Sequence, residues 1–441
     1  MNLTNKVVTD VLSNLGIESF NDMQVSMHDA IISSNEVMLL APTGSGKTLA
    51  FLWPLLTLLK PGSNRIQCLI LTPTRELALQ IESVWKKIGS GFKVNTCYGG
   101  HSMQVEIQNF SSPPALLIGT PGRIEDHLKR NSFVTDELEF LVLDEFDKAL
   151  QLGFQDQMAS IILKLNNLKK KILVSATPSP NIPKFVQFIN PNTLDFISDE
   201  NSKLDLKLLW VRCNTSNRIH KLIELVSNLK DECALIFCNL RETTEVLYNE
   251  FLSNDISATF YHGGLEQEAR ELALIRFRNG SVNFLISTDL AARGLDIPEM
   301  KHVIHFELPL KLDEFIHRNG RTARMNTSGT VFLFAKERNE LPDYIDEEVE
   351  EFRSDKSLAI PSVPLYTTIY ISGGKKSKIN KVDIVGFFTQ KGKLLKDDIG
   401  LIFVKEYYSF AAVKTNKVSK LLKNIELEKM KGKKYRIHIA K

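Results

Sequence analysis

The chain has 441 residues, of which 43% are hydrophobic and 24% are charged. These proportions exclude a long disordered chain, and the length predicts about three domains. The apolar runs are far shorter than the roughly 20 residues that cross a bilayer, and the N-terminus lacks a signal-peptide pattern, so we expect no membrane association. Five cysteines without a C-x-x-C pair predict neither a zinc site nor a disulfide framework and favour the cytoplasm.

The net charge of +3 conceals an uneven distribution along the chain. Residues 365–441 contain 18 Lys+Arg and 6 Asp+Glu, a net charge of +12, so the residues before them carry −9. A basic segment of this kind favours a nucleic-acid partner, while a merely solvated, lysine-rich surface is the alternative.

Short β-branched apolar runs alternate with helical patterns over most of the chain. The first series of runs lies at residues 37–40, 67–71, 115–119, 140–143 and 171–174. The second series starts near residue 206 and continues at residues 234–238, 257–261, 283–287, 302–306 and 329–334. This alternation predicts two tandem α/β domains with parallel sheets, over residues 1–200 and 205–355. Residues 190–204 are predicted to be a hinge, and residues 344–352 a closing helix.

From residue 366 the pattern changes to strand, helix, strand, strand, helix, strand. This βαββαβ order is the ferredoxin-like arrangement of RRM-type domains, so residues 365–441 are predicted to form a third, α+β domain that binds RNA. Pro361 and Pro364 suit an extended linker, across which we expect few contacts.

Residues 41–48, APTGSGKT, lie between a predicted strand and a helical pattern, as a phosphate-binding loop must. The glycines let backbone N–H groups approach phosphate oxygens, and the helix start adds a positive dipole end. Lys47 is predicted to reach the β and γ phosphates of ATP, and Thr48 to bind Mg²⁺. The predicted loop ligands are Thr43, Gly44, Ser45, Gly46, Lys47 and Thr48. The usual motif begins with glycine, where this chain has Ala41.

Residues 141–147, LVLDEFD, place carboxylates after an apolar strand, where ligands bind at the edge of an α/β sheet. Such a cluster alone is typical of a solvated turn, but a phosphate loop about a hundred residues upstream favours catalysis. Asp144 is predicted to hold Mg²⁺ through water, and Glu145 to orient and deprotonate the water that attacks the γ-phosphoryl group.

Residues 317–324, HRNGRTAR, supply the positive charge that phosphoryl transfer needs. Arg321 and Arg324, three residues apart on a predicted helix, share a face and would reach the γ-phosphate only when the two α/β domains close. A merely basic helix face is the alternative, and Gly320 within the motif fits it poorly.

Together and in this order, these elements closely resemble the DEAD-box RNA helicases of superfamily 2, over nearly all of residues 15–340. The resemblance implies two RecA-like domains and an RNA-dependent ATPase. Further motifs carry it: PTRELA at 73–78, GG at 99–100, TPGR at 120–123, SAT at 175–177, LIFCN at 235–239 and STDLAARGLD at 287–296.

The resemblance also implies roles for individual residues. It implies that the RNA backbone is held by Arg75, Gly99, Gly100, Thr120, Arg123, Gln267, Arg270 and Thr288. Because such contacts go to phosphate and sugar, we expect indifference to base sequence and a preference for RNA over DNA. Ser175 and Thr177 would link the nucleotide state to strand separation through Asp147. Asp289 would touch the ATP ribose, and His317 would bridge the two domains near Asp147.

Two features depart from the family pattern. Phe146 replaces the usual alanine, so a pocket behind the strand end must accommodate a ring. In the adenine-reading segment Gln24 is present and its amide can pair with an adenine edge. However, residues 20–23, FNDM, replace the usual PTPI, and no aromatic lies near Val7. The sequence therefore does not establish a strict preference for ATP.

The C-terminal segment resembles the RNA-binding domain of the DbpA-type bacterial helicases, in IYISGG at 369–374, DIVG at 383–386, DIG at 398–400 and GKKYRIHIA at 432–440. That branch targets a hairpin of large-subunit rRNA in ribosome assembly, which implies rRNA or pre-ribosomal particles as partners of a monomer. Tyr370 fits the RNA-stacking position of a first RRM strand. Residues 407–413 match the third-strand pattern only loosely, so lysines and loops are the alternative RNA contacts. A place in the hydrophobic core is the alternative role for these aromatics.

Two other functions remain open from the sequence. One is a general cold-response or RNA-decay helicase whose C-terminal segment binds RNA without selection. The other is an ATP-gated RNA clamp that hydrolyses slowly and unwinds little, an alternative that Phe146 keeps open.

Overall fold

The structure is a computed structural model that describes residues 3–42, 44–177, 182–197, 206–289, 300–322, 328–345, 349–354 and 363–440. The chain forms two compact units that divide near residue 205. In the described part of the chain, no helix combines the length and apolar character needed to cross a bilayer.

The first unit is a parallel sheet covered by helices on both faces. Its elements are α1 Leu3–Leu15, α2 Asp22–Ser33, β1 Glu36–Leu40, α3 Lys47–Leu58, β2 Cys68–Leu71, α4 Arg75–Ile88, β3 Val94–Cys97, α5 Met103–Asn109, β4 Leu116–Gly119, α6 Pro121–Lys129, β5 Phe140–Leu143, α7 Phe146–Gln151, α8 Gln155–Leu163, β6 Lys170–Ser175 and β7 Asn192–Asp195. The strand order is β3-β4-β2-β5-β6-β1-β7, and every pairing is parallel.

Burial explains why apolar runs in the sequence predict the strands of this sheet. Every residue of β2, β4 and β5 is buried, because helices cover both faces and separate hydrophobic clusters fill the two sides. The edge strand β7, by contrast, is largely exposed. It lies within residues 190–204, which are predicted to be a hinge, and it pairs with β1. The hinge prediction is therefore wrong for residues 192–195.

The second unit contains another parallel sheet with the same kind of layering. Its elements are β8 Leu206–Arg212, α9 Arg218–Asn228, β9 Ala234–Phe237, α10 Arg241–Ser253, β10 Ala258–Tyr261, α11 Gln267–Arg278, β11 Phe284–Ser287, β12 His302–His305, α12 Leu312–Asn319, β13 Gly329–Ala335 and β14 Glu350–Glu351. The strand order is β10-β11-β9-β12-β13-β8-β14. The closing helix predicted for residues 344–352 is wrong at β14, which pairs in parallel with β8.

The C-terminal domain, residues 363–440, also belongs to the second unit. It contains β15 Tyr366–Ile371, α13 Lys381–Gln390, β16 Ile399–Val404, β17 Ser409–Lys414, α14 Val418–Ile425 and β18 Ile437–Ile439. The strands form an antiparallel sheet in the order β16-β17-β15-β18. The predicted βαββαβ domain is confirmed, and its helices cover one face of the sheet around a core that includes Ile369, Phe388 and Leu421.

The other face of this sheet packs against α11, a contact that we call the docking interface. Ile275 of α11 is buried with Phe410 and Ala440, and the surrounding apolar side chains are Leu272, Tyr370, Phe403 and Tyr408. Because this apolar face is removed from water by α11, the expectation of few contacts across the linker is wrong.

Polar contacts complete the docking interface. The Thr368 hydroxyl is 3.1 Å from Asn279 Nδ2 and 2.7 Å from the Ser281 hydroxyl. Lys405 Nζ lies 3.0 Å from a carboxylate oxygen of Glu271. The C-terminal domain is therefore seated on the second parallel-sheet domain by both apolar and polar contacts.

Candidate functional site

The loop between β1 and α3 has the geometry of a phosphate cradle. Gly44 and Gly46 adopt φ angles of 84° and 89°, which L side chains rarely tolerate. A Cβ at Gly46 would lie 2.6 Å from Gln24 Nε2. Gln24 Nε2 donates to Gly46 O at 3.3 Å, and Asn21 Nδ2 donates to Ser45 O at 3.1 Å. The residues that cap α2 therefore also brace the loop.

Lys47 is held at the start of α3 by the loop itself. Its Nζ donates to Ala41 O at 2.7 Å and to Pro42 O at 2.8 Å. Thr48 follows it in the first turn of α3. The ammonium group thus lies among polar acceptors that phosphate oxygens can replace. Thr43 lies outside the described residues.

The acidic motif lies at the carboxyl end of β5. Asp144 N donates to Leu71 O at 2.9 Å, and the residue is only 4% exposed. Burial, reinforced by the charge of Glu145, raises the pKa of Asp144, whereas Lys47 acts to lower it. The strands β1 and β5 end at the same edge of the sheet with only β6 between them, so the phosphate loop and the acidic motif lie at one edge. A bound cation would restore the ionised carboxylate, so Asp144 fits a Mg²⁺ ligand.

Glu145 occupies a strained position between β5 and α7. Its φ and ψ angles are 47° and 49°, in the left-handed region. A non-glycine residue there costs energy that the surrounding structure must offset, and such positions cluster at active sites. The strain fits the predicted role of Glu145 in orienting water.

Phe146 lies in the hydrophobic core. It is fully buried, and its ring centroid is 6.5 Å from that of Phe185. The ring therefore fills space behind the strand end, while the preceding carboxylates remain at the edge of the sheet.

The SAT motif at residues 175–177 borders the same edge. The Ser175 hydroxyl is 3.2 Å from Thr177 Oγ1, and it accepts a hydrogen bond from Thr177 N at 3.2 Å. Ala41 N donates to Ser175 O at 3.1 Å, which ties the motif to the phosphate loop. We call residues 41–48, 144–147 and 175–177 together the nucleotide edge.

The candidate RNA contacts of the first unit follow the ends of three neighbouring strands, β2, β3 and β4. The Arg75 guanidinium lies 4.5 Å from the centroid of the Tyr98 ring. Gly99 and Gly100 are exposed, and Gly100 has a φ of 83°. Thr120 precedes α6, whose first residue is proline. The structure therefore brings these predicted residues together at the edge of the sheet where the carboxyl ends of β2, β3 and β4 lie.

Glu106 of α5 connects the candidate RNA contacts Arg75, Gly99, Gly100, Thr120 and Arg123, which we call the RNA side, and no pattern in the sequence points to it. The carboxylate is 1% exposed and accepts Arg123 Nε at 2.7 Å and Tyr98 N at 3.3 Å. His127 Nε2 lies 2.7 Å from it, and His101 Nδ1 lies 3.2 Å from it. Although burial opposes ionisation, the hydrogen bonds from His127 and Arg123 hold the pKa of Glu106 below its usual value.

In the second unit, Arg318 forms a fully buried node. Its Nε and Nη2 bond the two oxygens of Asp289 at 2.6 and 3.0 Å. It also donates to Glu307 O and to Asn239 Oδ1, both at 2.7 Å. The Asp289 side chain remains 31% exposed, so a predicted ribose contact has access to it. Sequence reasoning assigned no role to Arg318.

The remaining candidates of the second unit have varied surroundings. His317 is buried and its Nδ1 lies 2.6 Å from Asp313 O, while Arg321 is 6% exposed. Arg324 lies outside the described residues. The first turn of α11 carries Gln267 and Arg270, and Thr288 follows β11.

Tyr370 lies in the docking interface. Its ring centroid is 5.7 Å from that of Phe410 and 6.0 Å from that of Tyr408. The predicted stacking of RNA on Tyr370 would therefore require the interface with α11 to open.

The arrangement defines a class of protein: a nucleotide-driven motor with a phosphate loop and paired carboxylates in one RecA-like domain, a second RecA-like domain, and an RRM-like domain. Comparison with known families agrees. The DEAD/DEAH box helicase family matches residues 21–185, the helicase conserved C-terminal domain matches residues 217–326, and the DbpA RNA binding domain matches residues 368–439.

Similar proteins and solved structures identify the family to which the chain belongs. The ATP-dependent RNA helicases DbpA of Bacillus subtilis strain 168 and Escherichia coli K12 are 30% and 31% identical, over 97% and 98% of this chain and 96% of each relative. A structure of S. cerevisiae Dbp5 bound to RNA and ADP BeF3 has a TM-score of 0.68 and 25% identity, covering 78% of this chain and 93% of that one. The chain belongs to the DbpA-type DEAD-box ATP-dependent RNA helicases.

Proposed function

We propose that the chain remodels short RNA duplexes during assembly of the large ribosomal subunit, with rRNA as the RNA that activates it. The observation that carries this proposal is the placement of the basic C-terminal domain. It is seated on α11, and the first turn of that helix carries Gln267 and Arg270, the proposed RNA contacts of the second RecA-like domain. RNA bound by the C-terminal domain is thereby delivered close to the motor.

ATP hydrolysis is proposed to take place at the nucleotide edge. Lys47 leaves the carbonyls of Ala41 and Pro42 for the β and γ phosphates, and Glu145 orients the attacking water. Mg²⁺ held by Thr48 and Asp144 would neutralise charge on the phosphates. Arg321 and Arg324 are proposed to stabilise the transition state when the two RecA-like domains close, which makes hydrolysis depend on RNA-induced closure.

RNA is proposed to be held through its backbone by Arg75, Gly99, Gly100, Thr120, Arg123, Gln267, Arg270 and Thr288. These contacts select ribose and phosphate over base sequence, so selection between RNAs falls to the C-terminal domain. Ser175, Thr177, Asp147 and His317 are proposed to couple the nucleotide state to strand separation. Phe146 does not favour a slow clamp, because its ring fills the core instead of the site.

The test compares ATP turnover of the full-length protein with a large-subunit rRNA fragment and with a length-matched random RNA. Glu145→Gln supplies the background, because it should bind ATP and RNA without hydrolysis. We expect the rRNA fragment to activate at lower concentration than the random RNA. Equal activation by both RNAs would favour a general helicase and reject the ribosomal role.

A further inference from the structure

The aromatic face of the C-terminal sheet faces protein. Tyr370, Tyr408 and Phe410 form a ring cluster with centroids 5.5 to 6.0 Å apart, and this cluster packs with Leu272 and Ile275 of α11. An RRM-like sheet normally stacks unpaired bases on this face. Because α11 covers it, RNA bound to the intact structure must contact another surface of the domain.

A groove between α14 and β18 offers such a surface. Its volume is about 810 Å³, within the range of ligand pockets. The charged residues that line it are Lys423, Lys434, Arg436 and Glu426, three cations against one carboxylate. An excess of positive charge in a concave surface attracts a polyanion such as RNA.

The cations of the groove are available to a ligand. Lys423, Lys434 and Arg436 are all exposed, and none of them forms an ion pair with an acidic residue that the structure describes. Five other lysines of the domain are already paired with carboxylates: Lys375, Lys391, Lys405, Lys414 and Lys431. Phosphates can therefore contact the groove cations without breaking an existing ion pair.

The groove also has an apolar floor and aromatic sides. Ile425 and Ile437 pack into the domain core beneath it, and the half-buried Tyr435 packs beside them. The exposed ring of His438 lies at the outer edge of β18, on the sheet face that carries its strand partner Tyr370 and not on the face of Ile437, with its centroid 4.9 Å from that of Tyr370. Rings beside cations suit a single strand, whose bases can stack, better than a duplex, whose bases are already stacked.

We propose that this groove binds a single-stranded segment of RNA, with phosphates at Lys423, Lys434 and Arg436 and a base stacked on His438. The proposal rests on the function proposed above and names the surface that serves it. The docked sheet face then holds the domain on α11 while the groove holds the RNA, so both contacts exist at the same time.

The experiment measures direct RNA binding by full-length protein. The groove variant is Lys434→Ala/Arg436→Ala, and the matched control is Lys393→Ala/Lys396→Ala, which removes the same charge from exposed residues that do not line the groove. The probes are a fluorescent rRNA hairpin with an unpaired loop and a random single strand of equal length. Each dissociation constant is measured over a series of salt concentrations.

Two lost phosphate contacts should flatten the slope of log affinity against log salt by about 1.4, since each contact to a single strand contributes roughly 0.7. The groove variant is expected to show this change for both probes, while the control changes much less. His438→Ala should weaken binding at least about fivefold with an unchanged salt slope, because it removes stacking and not charge. Equal slopes and affinities for the groove variant and the control overturn the groove proposal.

The two proposals fail separately. If wild type binds both probes equally and the groove variant still loses affinity, the groove stands and the ribosomal role is rejected. If wild type prefers the rRNA hairpin and the groove variant binds it as the control does, the ribosomal role stands and the groove is rejected. If the control variant loses as much affinity for both probes as the groove variant does, the effect comes from net charge, and the groove proposal is also rejected.

Discussion

The nucleotide edge and the docking interface are built in opposite ways. At the nucleotide edge, side chains follow the carboxyl ends of β1, β5 and β6, so short local motifs determine both their identity and their position. At the docking interface, α11 and the residues just after it meet strands that begin nearly ninety residues later in the chain. Apart from one ion pair and one amide, the two sides consist of ordinary apolar and hydroxyl side chains. Catalytic residues at strand ends can therefore be recognised from short sequence motifs, whereas the partner of an apolar face cannot.

Lys47→Ala should have the largest effect of the proposed substitutions, and it tests the nucleotide edge. No other side chain that the structure describes in the loop carries a positive charge, so ATP turnover at saturating RNA should fall by about two to three orders of magnitude. Its thermal midpoint should change little, because the hydrogen bonds that Lys47 donates to Ala41 O and Pro42 O are made within the loop. Lys60→Ala, which removes a surface ion pair with Glu139, is the control for a lost lysine. Substantial turnover in Lys47→Ala would contradict the phosphate-loop assignment.

Phe146→Ala should separate stability from activity. The fully buried ring leaves a cavity when it is removed, so the free energy of unfolding of the first unit should fall by about 3–5 kcal/mol. Turnover per folded molecule should change little, because the ring lies in the core. Denaturant unfolding and ATPase assays on the same sample check both expectations. A large rise in turnover would identify Phe146 as a brake on hydrolysis.

The sequence predicted most of what lies at strand ends. The phosphate loop, the acidic motif and the glycines of the RNA side were identified because backbone conformation and catalysis require particular residue types there. Glu106 and Arg318 were missed, since a single charged residue within a helix has no local signature of burial. β14 was predicted as helix because Glu350 and Glu351 lack the apolar pattern of a strand, and an edge strand exposed to solvent does not need one.

The docking interface was missed for a related reason. The spacing of Leu272 and Ile275 indicates that one face of α11 is buried, but any apolar partner would satisfy that pattern. The sequence assigns Tyr370 to RNA because its strand position is the usual stacking site, and a half-buried tyrosine ring serves equally well in a protein contact. Tertiary pairing of two apolar faces is decided by shape across the whole unit, which no short segment encodes.

Glu106→Gln tests whether Glu106, a buried residue that belongs to none of the sequence motifs, positions the candidate RNA contacts of the first unit. Glutamine keeps the shape but loses the charge-assisted bonds to Arg123 and His127, each worth about 1.5–3 kcal/mol. The RNA concentration for half-maximal ATPase activation should therefore rise roughly tenfold, a factor that corresponds to about 1.4 kcal/mol, with turnover at saturating RNA unchanged. Glu125→Gln, which removes a surface pair with Lys129, should leave both quantities as in wild type. Loss of maximal turnover alone would contradict a role in RNA binding.

The same carboxylate gives a pH dependence with a defined sign. Because the folded pKa of Glu106 lies below its usual 4.5, the stability that its ion pairs contribute is present above about pH 4.5. That contribution is lost as the pH falls through the depressed pKa. Denaturant unfolding should therefore show wild type more stable than Glu106→Gln at neutral pH and a shrinking difference below pH 4.5. A difference that grows on acidification would rule out the ionised network.

Thr368→Val should have the smallest effect and addresses the docking interface. The hydroxyl bonds both Asn279 and Ser281 across the interface, and Thr368 is only 1% exposed. Valine has nearly the same shape, so no cavity forms, but the buried Asn279 amide loses its acceptor at a cost of about 1–3 kcal/mol. The adjacent Thr367→Val is the matched control, because its hydroxyl bonds Thr415 inside the C-terminal domain.

The measurement for this last prediction is amide hydrogen exchange of the full chain. If the interface holds the C-terminal domain on α11, Thr368→Val should increase exchange in β15 and at the C-terminal end of α11, because the broken bonds join Thr368 to Asn279 and Ser281, which directly follow α11. The helix α9 of the same sheet domain should keep its protection. Thr367→Val should affect only the C-terminal domain. Faster exchange confined to β15 in both variants would mean that α11 gains nothing from the contact. Because Thr368 is not among the residues that line the α14/β18 groove, RNA affinity should stay close to wild type even where protection of α11 is lost. That result would distinguish seating the domain from binding the RNA.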